Sequence, residues 1–218
     1  MEARRVTASG LVYLFGEEFA KPAGRFFGGE TLLYSGQKVD RKDLANRLFE
    51  AAFVSLAGEG YVSLGTEKRK KLLLLTAEVV TITREKGGHE LPPSLERAII
   101  DALSGDPKQD WVQAVVERVI GGERADPWKW VVGYVMERLV EAGYLRREVE
   151  KRRLRPDKVH WSAHEETIAP LAGEVETLKS TLETFASLDP DLRRRLIGEI
   201  KGGIQAQVME VDTDIDFD

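Results

Sequence analysis

What most constrains this chain is the placement of its glycines and prolines. Gly58 and Gly60, Gly87-Gly88, Pro92-Pro93, Pro107, Gly121-Gly122, Asp126-Pro127, Gly143 and Asp189-Pro190 divide it at short intervals. Proline inside a helix removes a hydrogen bond and clashes with the preceding turn, and glycine carries an entropic cost there, so the segments between these points must be short elements. Asp40, Ser94, Asp126 and Asp189 each precede a helical apolar pattern, where a side-chain oxygen can take a free N–H of the first turn.

The segments read as follows. Leu44, Leu48, Ala51, Ala52 and Leu56 share one helix face from Asp40 to about Gly58. Tyr61 to Leu64, the charged stretch Glu67 to Lys71, and two extended runs, Leu72 to Leu75 and the β-branched Val79 to Thr83, predict a small hairpin within 61–84. Leu95, Ile99 and Leu103 mark a helix after Ser94, and Trp111, Val115 and Val119 a second after Pro107. A third follows Asp126-Pro127, with Trp128, Val131, Val132, Val135 and Leu139 on its apolar face and Gly143 just past its end. Tyr144 to Glu148 and Leu154 to Trp161 can then pair as a hairpin. Three short helices and a hairpin is the order of a winged helix, whose third helix enters DNA when DNA is bound. The expected fold class is mainly α: a helical bundle with winged-helix-like units and small β-hairpins. Trp111, Trp128, Val135 and Leu139 are expected in its core.

Residues 1–38 read as an aromatic and glycine-rich arm of irregular conformation, 39–209 as a single helical domain, and 210–218 as an acidic tail. Within the domain, 91–161 is the winged-helix-like segment and 165–208 a helical hairpin. In the arm, Phe26 and Phe27 either pack over the fold or form an exposed aromatic tip. Ile168, Leu171, Val175, Leu178, Leu182 and Phe185 alternate spacings of three and four, the seam of an intramolecular helical hairpin or of a dimer stalk. Leu192, Leu196, Ile200, Ile204 and Val208 mark the last helix, interrupted by Gly202-Gly203, with the preceding helix as its expected partner. The tail alternates Glu210, Asp212, Asp214, Asp216 and Asp218 with other residues, as a solubilising end or as an added strand whose one face is Val211, Ile215 and Phe217.

Composition excludes more than it indicates. Without cysteine there is no disulfide, thiol nucleophile or thiolate metal site, and three histidines leave little scope for an imidazole cluster. His160 and His164 would share a helix face, but Trp161 stands where a zincin motif needs glutamate, so no metal is expected. Neither glycine pair fits a phosphate-binding loop, and no serine lies in a nucleophile elbow, so neither catalysis nor a cofactor is expected. Apolar runs are far too short to span a bilayer, and a signal-like start is broken by Thr7, Ser9 and Gly10, which points to the cytoplasm. A net charge of −5 gives no global pull toward phosphates. Local asymmetry does: residues 146–158 carry Arg146, Arg147, Lys151, Arg152, Arg153, Arg155 and Lys158 against three acids. Such a hairpin is either a solvated, internally neutralised face or a phosphate-binding one. Lys68, Arg69, Lys70 and Lys71 form a second basic cluster, read as a loop.

The helix Ala51 to Leu56 ending in Gly60-Tyr61-Val62, the run Lys68 to Leu74, the Trp111 helix, Glu137 to Leu145 and Leu188 to Leu196 together resemble, in order and spacing, the Golgi phosphoprotein 3 family. The resemblance covers roughly residues 44–200. It implies a mostly helical peripheral membrane protein that recognises phosphatidylinositol 4-phosphate. Two family arginines that hold the lipid phosphate fall here at Lys129 and Val132, and the family's apolar hairpin tip is replaced by Lys151, Arg152, Arg153, Leu154 and Arg155. Such a tip adsorbs to headgroups instead of entering hydrocarbon. The implied function is a non-catalytic adaptor, peripheral to a membrane, that binds an anionic surface and a protein partner, the latter through the C-terminal helices or the acidic tail, with oligomer formation open. The alternative is a winged-helix protein that binds nucleic acid or serves a nucleoprotein assembly.

Overall fold

Helix α2 (Arg41–Gly58) begins where Asp40 accepts the N–H of Asp43 and ends at Gly60, which has φ of 71°. Its apolar residues point in all directions: Leu44, Leu48, Phe49, Phe53 and Leu56 are fully buried. A helix apolar all round belongs at the centre of a core, and the other elements surround this one. The computed structural model describes residues 5–24, 29–72, 75–151 and 157–209. It is mainly α, with helices and three two-stranded antiparallel hairpins.

Helix α1 (Ala8–Leu14) corrects the reading of the first residues as irregular. All seven of its residues are buried, against α2 and the helix that ends at Ala142. Seven residues are too few to show a period, and in sequence Ser9 and Gly10 read, with Thr7, only as breaks. Their smallness is what admits the helix: a Cβ on Gly10 would lie 3.2 Å from Leu139. Glu96, 2% exposed, accepts the Ser9 N–H at 2.7 Å and its hydroxyl at 2.8 Å, so a buried carboxylate meets two donors at the helix start. Val6, Leu11, Leu32 and Val39 share one core cluster with α2.

Strands β1 (Gly29–Thr31) and β2 (Lys38–Asp40) form a hairpin that the sequence did not announce. Strands β3 (Val62–Leu72) and β4 (Leu75–Arg84) pair from Val62 opposite Arg84 to Leu72 opposite Leu75. Of the expected extended run Leu72 to Leu75, Leu72 and Leu75 pair with each other across the hairpin and residues 73–74 lie outside the described residues, while Lys68 to Lys71 lie in a strand, not a loop. Helices α3 (Leu95–Ala102), α4 (Val112–Ile120) and α5 (Pro127–Ala142), then β5 (Leu145–Glu150) and β6 (Lys158–Ala163), follow in the expected order. Ser94 and Asp126 cap α3 and α5, and Gly121 and Gly143 close α4 and α5 in left-handed conformations. Val135 and Leu139 are buried as expected. Trp111 and Trp128 are only partly buried: Trp111 precedes α4 and bridges Thr81 of β4, and Trp128 borders a surface cleft.

A short helix α6 (Glu165–Ile168) leads into α7 (Ala172–Leu188) and α8 (Pro190–Gln205). The main partner of α8 is α4, not the preceding helix. Gly202-Gly203 is the reason: a Cβ on Gly203 would meet the Gln113 carbonyl and Val116 at 2.8 Å. The pair that looked like an interruption is the close crossing point. Glu50, 2% exposed, accepts from Arg47 at 2.6 Å and Arg193 at 2.8 Å, joining α2 to α8.

The crossing predicts opposite outcomes for two alanines in one helix. Gly203→Ala should destabilise by about 1–3 kcal/mol through overpacking, whereas Gly198→Ala, which meets nothing within 4 Å, should stabilise by about 0.5–1 kcal/mol. Urea midpoints of the two variants check this. Asp110 supplies a pH test. Burial would raise its pKa, but the N–H groups of Ser104 and Gly105, the Ser104 hydroxyl and Arg118 outweigh burial and hold it below the ordinary carboxylate value. Its stabilisation is therefore complete above the unfolded value of about 3.9 and is lost as pH falls through the folded pKa. Asp110→Asn should lower the urea midpoint at neutral pH, and the gap to wild type should close in acid.

Candidate functional site

The N-termini of α2 and α5 lie side by side because Arg41 links them. It donates to the α5 cap Asp126 at 3.0 Å and to Glu30 at 3.0 Å. Those bonds and charges outweigh burial and raise the Arg41 pKa. Lys21 is held nearby by its backbone, which donates to Asp43 at 2.9 Å and accepts from Asp40 N–H at 2.8 Å. The last turns of α8 reach the same place. Together these elements enclose a cleft of about 540 Å³ bordered by Lys21, Lys42, Lys201, Asn46 and Trp128, with Gln205 at its edge.

The cleft is lined by three lysines and two aspartates. The Lys42 ammonium stands 4.3 Å from the centre of the Trp128 ring, an attraction between cation and π-face. Asp40 and Asp43 border the same cleft and accept backbone N–H groups, from Asp43 and Lys21 respectively, so the lysines outnumber the carboxylates there by one. Among the described residues none of the three lysine ammonium groups is in an ion pair. Asn46 is 8% exposed, and its Oδ1 has no hydrogen-bond partner among the described residues. Buried polar atoms without a partner are rare and costly, so this amide calls for a donor in the cleft. A ligand that fits carries negative charge for the lysines, a donor for Asn46 and a face or chain to lie on the indole.

The residues singled out by sequence are spread over other surfaces. Lys129 is exposed in the first turn of α5, beside Trp128, with its N–H on Asp126 at 2.8 Å. Val132, which the resemblance sets opposite the second lipid-binding arginine, is 1% exposed and in the core. Arg146 and Arg147 lie on β5; Arg147 is 3.5 Å from Glu137 and beside the Trp161 ring, and Arg146 is 3.9 Å from Glu148. Lys151 is exposed just beyond β5. Arg152, Arg153 and Arg155, Phe26 and Phe27, and the tail 210–218 lie outside the described residues. Within the hairpin, Arg147 with Trp161 and Val149 with Val159 form an apolar-leaning face, while Arg146 with Ser162, Glu148 with His160 and Glu150 with Lys158 form a polar one. Val149 and Val159 are exposed.

Lys68 is exposed on β3, where Lys70 and Lys71 also lie. Arg69 is committed to structure: it donates to the carbonyls of Pro107 and Lys108, pairs with Glu67 and stacks on Trp111 at 4.7 Å. It fixes the start of α4 and is not available to a ligand. His160 is in β6 and His164 precedes α6, so they do not share a helix face. Helix α5 does not resemble a reading head: Val131, Val132, Val135, Met136 and Leu139 are buried, and on its outer side Arg138 pairs with Glu141. A second cavity, of about 740 Å³, is bordered by Glu59, Glu90, Glu96 and Glu174 with Arg5, the wrong sign for a phosphate.

The sequence reading missed Lys21, Lys42, Asn46 and Lys201. They come from four separated segments, and no local spacing links them; only the Arg41 clamp and the α8 crossing bring them together. Among the described residues no helix is long and apolar enough to cross a membrane. In comparisons with known proteins, no family model, no curated protein and no solved structure matches this chain.

Proposed function

We propose that this chain is a non-catalytic peripheral adaptor that docks on an anionic membrane surface, with the Trp128 cleft taking a phosphate-bearing headgroup. The observation that carries the reading is that Lys21, Lys42 and Lys201 line one cleft with Trp128 and with Asn46, whose buried oxygen has no partner among the described residues. A headgroup phosphate answers the lysines, and a headgroup hydroxyl answers Asn46. The basic hairpin adds adsorption through Arg146 and Lys158, with exposed Val149 and Val159 on its other face, and through Lys151 just beyond β5; amphipathic surfaces of this kind bind at the headgroup level. The resemblance to the Golgi phosphoprotein 3 family supports the same class of function. The protein partner is held by the C-terminal helices, where Leu188 is 80% exposed at the turn between α7 and α8.

Co-sedimentation with phosphatidylcholine vesicles, with and without phosphatidylserine or phosphatidylinositol 4-phosphate, tests this. Binding should require anionic lipid and weaken as salt rises. Replacing Lys42 and Lys201 with glutamine removes two charges, and at about 1 kcal/mol each the affinity should fall roughly thirtyfold. The thermal transition should stay in place, because both ammonium groups are unpaired among the described residues. Undiminished vesicle binding by the double variant would refute the cleft. Tight binding to duplex DNA, without binding to vesicles, would establish the nucleic-acid alternative instead.

A further inference from the structure

The second cavity, of about 740 Å³, opens between the start of α1, the end of α2, the loop before α3 and the first half of α7. Its size is that of a small-molecule site. Val6, Leu11, Leu56 and Leu178 in its lining are buried and Leu91 is half-buried, so the floor is apolar. Four carboxylates, of Glu59, Glu90, Glu96 and Glu174, share that lining with one cation, Arg5. Arg5 is 80% exposed and 3.9 Å from Glu59, which also accepts the Ser55 hydroxyl at 2.9 Å. Lys86, outside the lining, is held on the Glu59 carbonyl at 3.1 Å and over the Tyr61 ring at 5.7 Å. Among the described residues the other three carboxylates have no cationic partner. Glu96 points to an occupant by itself. It is 2% exposed, and its oxygens accept the N–H and the hydroxyl of Ser9 at 2.7 and 2.8 Å. Those bonds and the start of α3 offset part of the cost of burying its charge, but a carboxylate taken out of water calls for a counter-charge, and the cavity is where one can arrive. Among the described residues no three acidic or histidine side chains are placed to hold a metal ion, so the negative charge is spread along the cavity and not focused on one point.

We propose that this cavity binds an aliphatic polyamine. Such a molecule alternates ammonium groups with short methylene runs, and the cavity answers both parts of that pattern. The methylenes lie on the floor of Val6, Leu11, Leu56 and Leu178. The ammonium groups meet Glu90 and Glu174 at the exposed rim and Glu96 at the buried wall, in charge-assisted hydrogen bonds. A small inorganic cation would use the charge and leave the apolar floor uncovered; an alkyl monoamine would cover the floor and leave carboxylates unmet. The bound molecule bridges the loop before α3, the start of α3 and α7, so it holds together elements that are far apart in the chain. The site is independent of the Trp128 cleft, with which it shares no lining residue.

Isothermal titration of the full chain with spermidine at low salt is the measurement, beside magnesium chloride, a cation without methylenes, and hexylamine, an alkyl group with a single charge. Spermidine should bind at a single site, at least about tenfold more tightly than either, and should raise the melting temperature. Glu90→Gln with Glu174→Gln, both exposed, should weaken spermidine by about tenfold and leave the ligand-free melt in place. Thr181→Trp, at an exposed lining position of α7, should block the cavity and abolish binding. Glu165→Gln with Glu166→Gln removes two exposed acids outside the lining and should change nothing, which controls for net charge. Spermidine binding no tighter than magnesium or hexylamine, binding undiminished in either cavity variant, or an equal loss in the Glu165 and Glu166 control would overturn the proposal. Binding of an oligolysine peptide without binding of spermidine would make the cavity a docking face for a basic protein and overturn it as well.

Discussion

The burial of α2 on nearly all sides is the constraint on which the other packing depends. Leu44, Ala45, Leu48, Phe49, Ala51, Ala52 and Phe53 have no exposed surface, so each neighbouring element must bring an apolar face to this one helix. Full burial of each large side chain contributes about 1.5–3 kcal/mol, which makes the helix the main source of stability. It also makes a polar residue on that helix expensive. Glu50 is tolerated because Arg47 and Arg193 both reach it, and the pairing fixes how α8 lies against α2. A buried carboxylate with two guanidinium partners is weak evidence of net stabilisation, but removing either partner leaves charge without compensation. The bridge therefore acts chiefly on geometry: it specifies one placement of α8.

Close approach is the second theme, and small residues decide where it occurs. Gly10 lets α1 lie against Leu139 of α5, and Gly203 lets α8 lie on Gln113 and Val116 of α4. Both approaches bring a polar group with them. Glu96 holds the start of α1 through Ser9, and the Glu199 carboxylate accepts N–H groups from Val80 at 2.6 Å and Gln113 at 3.3 Å, joining α8 to β4 and the first turn of α4. Apolar packing brings the helices together, and these charge-assisted bonds to backbone N–H groups fix their rotation.

Legibility followed the range of the interaction. Asp40, Ser94, Asp126 and Asp189 act on N–H groups three residues away, and all four caps are made. Gly121 and Gly143 adopt the left-handed conformation that closes a helix. The two hairpins within 61–84 and 144–161 followed from the same local logic. What failed was long-range. The partner of α8 depends on a glycine meeting a backbone carbonyl 90 residues earlier in the chain, and the depth of Trp111 depends on Arg69 arriving from another hairpin. Periodicity showed that each helix has an apolar face and carried no information on which helix covers it. The cleft was invisible for the same reason: Lys21, Lys42 and Lys201 lie in a loop, a first turn and a last turn, with no spacing in common.

The charge balance gives that cleft its meaning. The chain has 37 acidic and 32 basic residues, so carboxylates outnumber cations, and most of the arginines in the fold find one. In such a chain a cluster of lysines without acidic partners among the described residues runs against the supply of counter-charge. Random surface placement gives scattered lysines, each weakly screened; here three border one cleft with a buried amide oxygen, and one of them, Lys42, stands over the Trp128 indole. Asp40 and Asp43 offset part of that charge, leaving three ammonium groups against two carboxylates at the cleft. The site is built where helix starts, a helix end and a connecting segment meet, at the edge of the core and not inside it. There the fold can hold positive charge without a large desolvation cost.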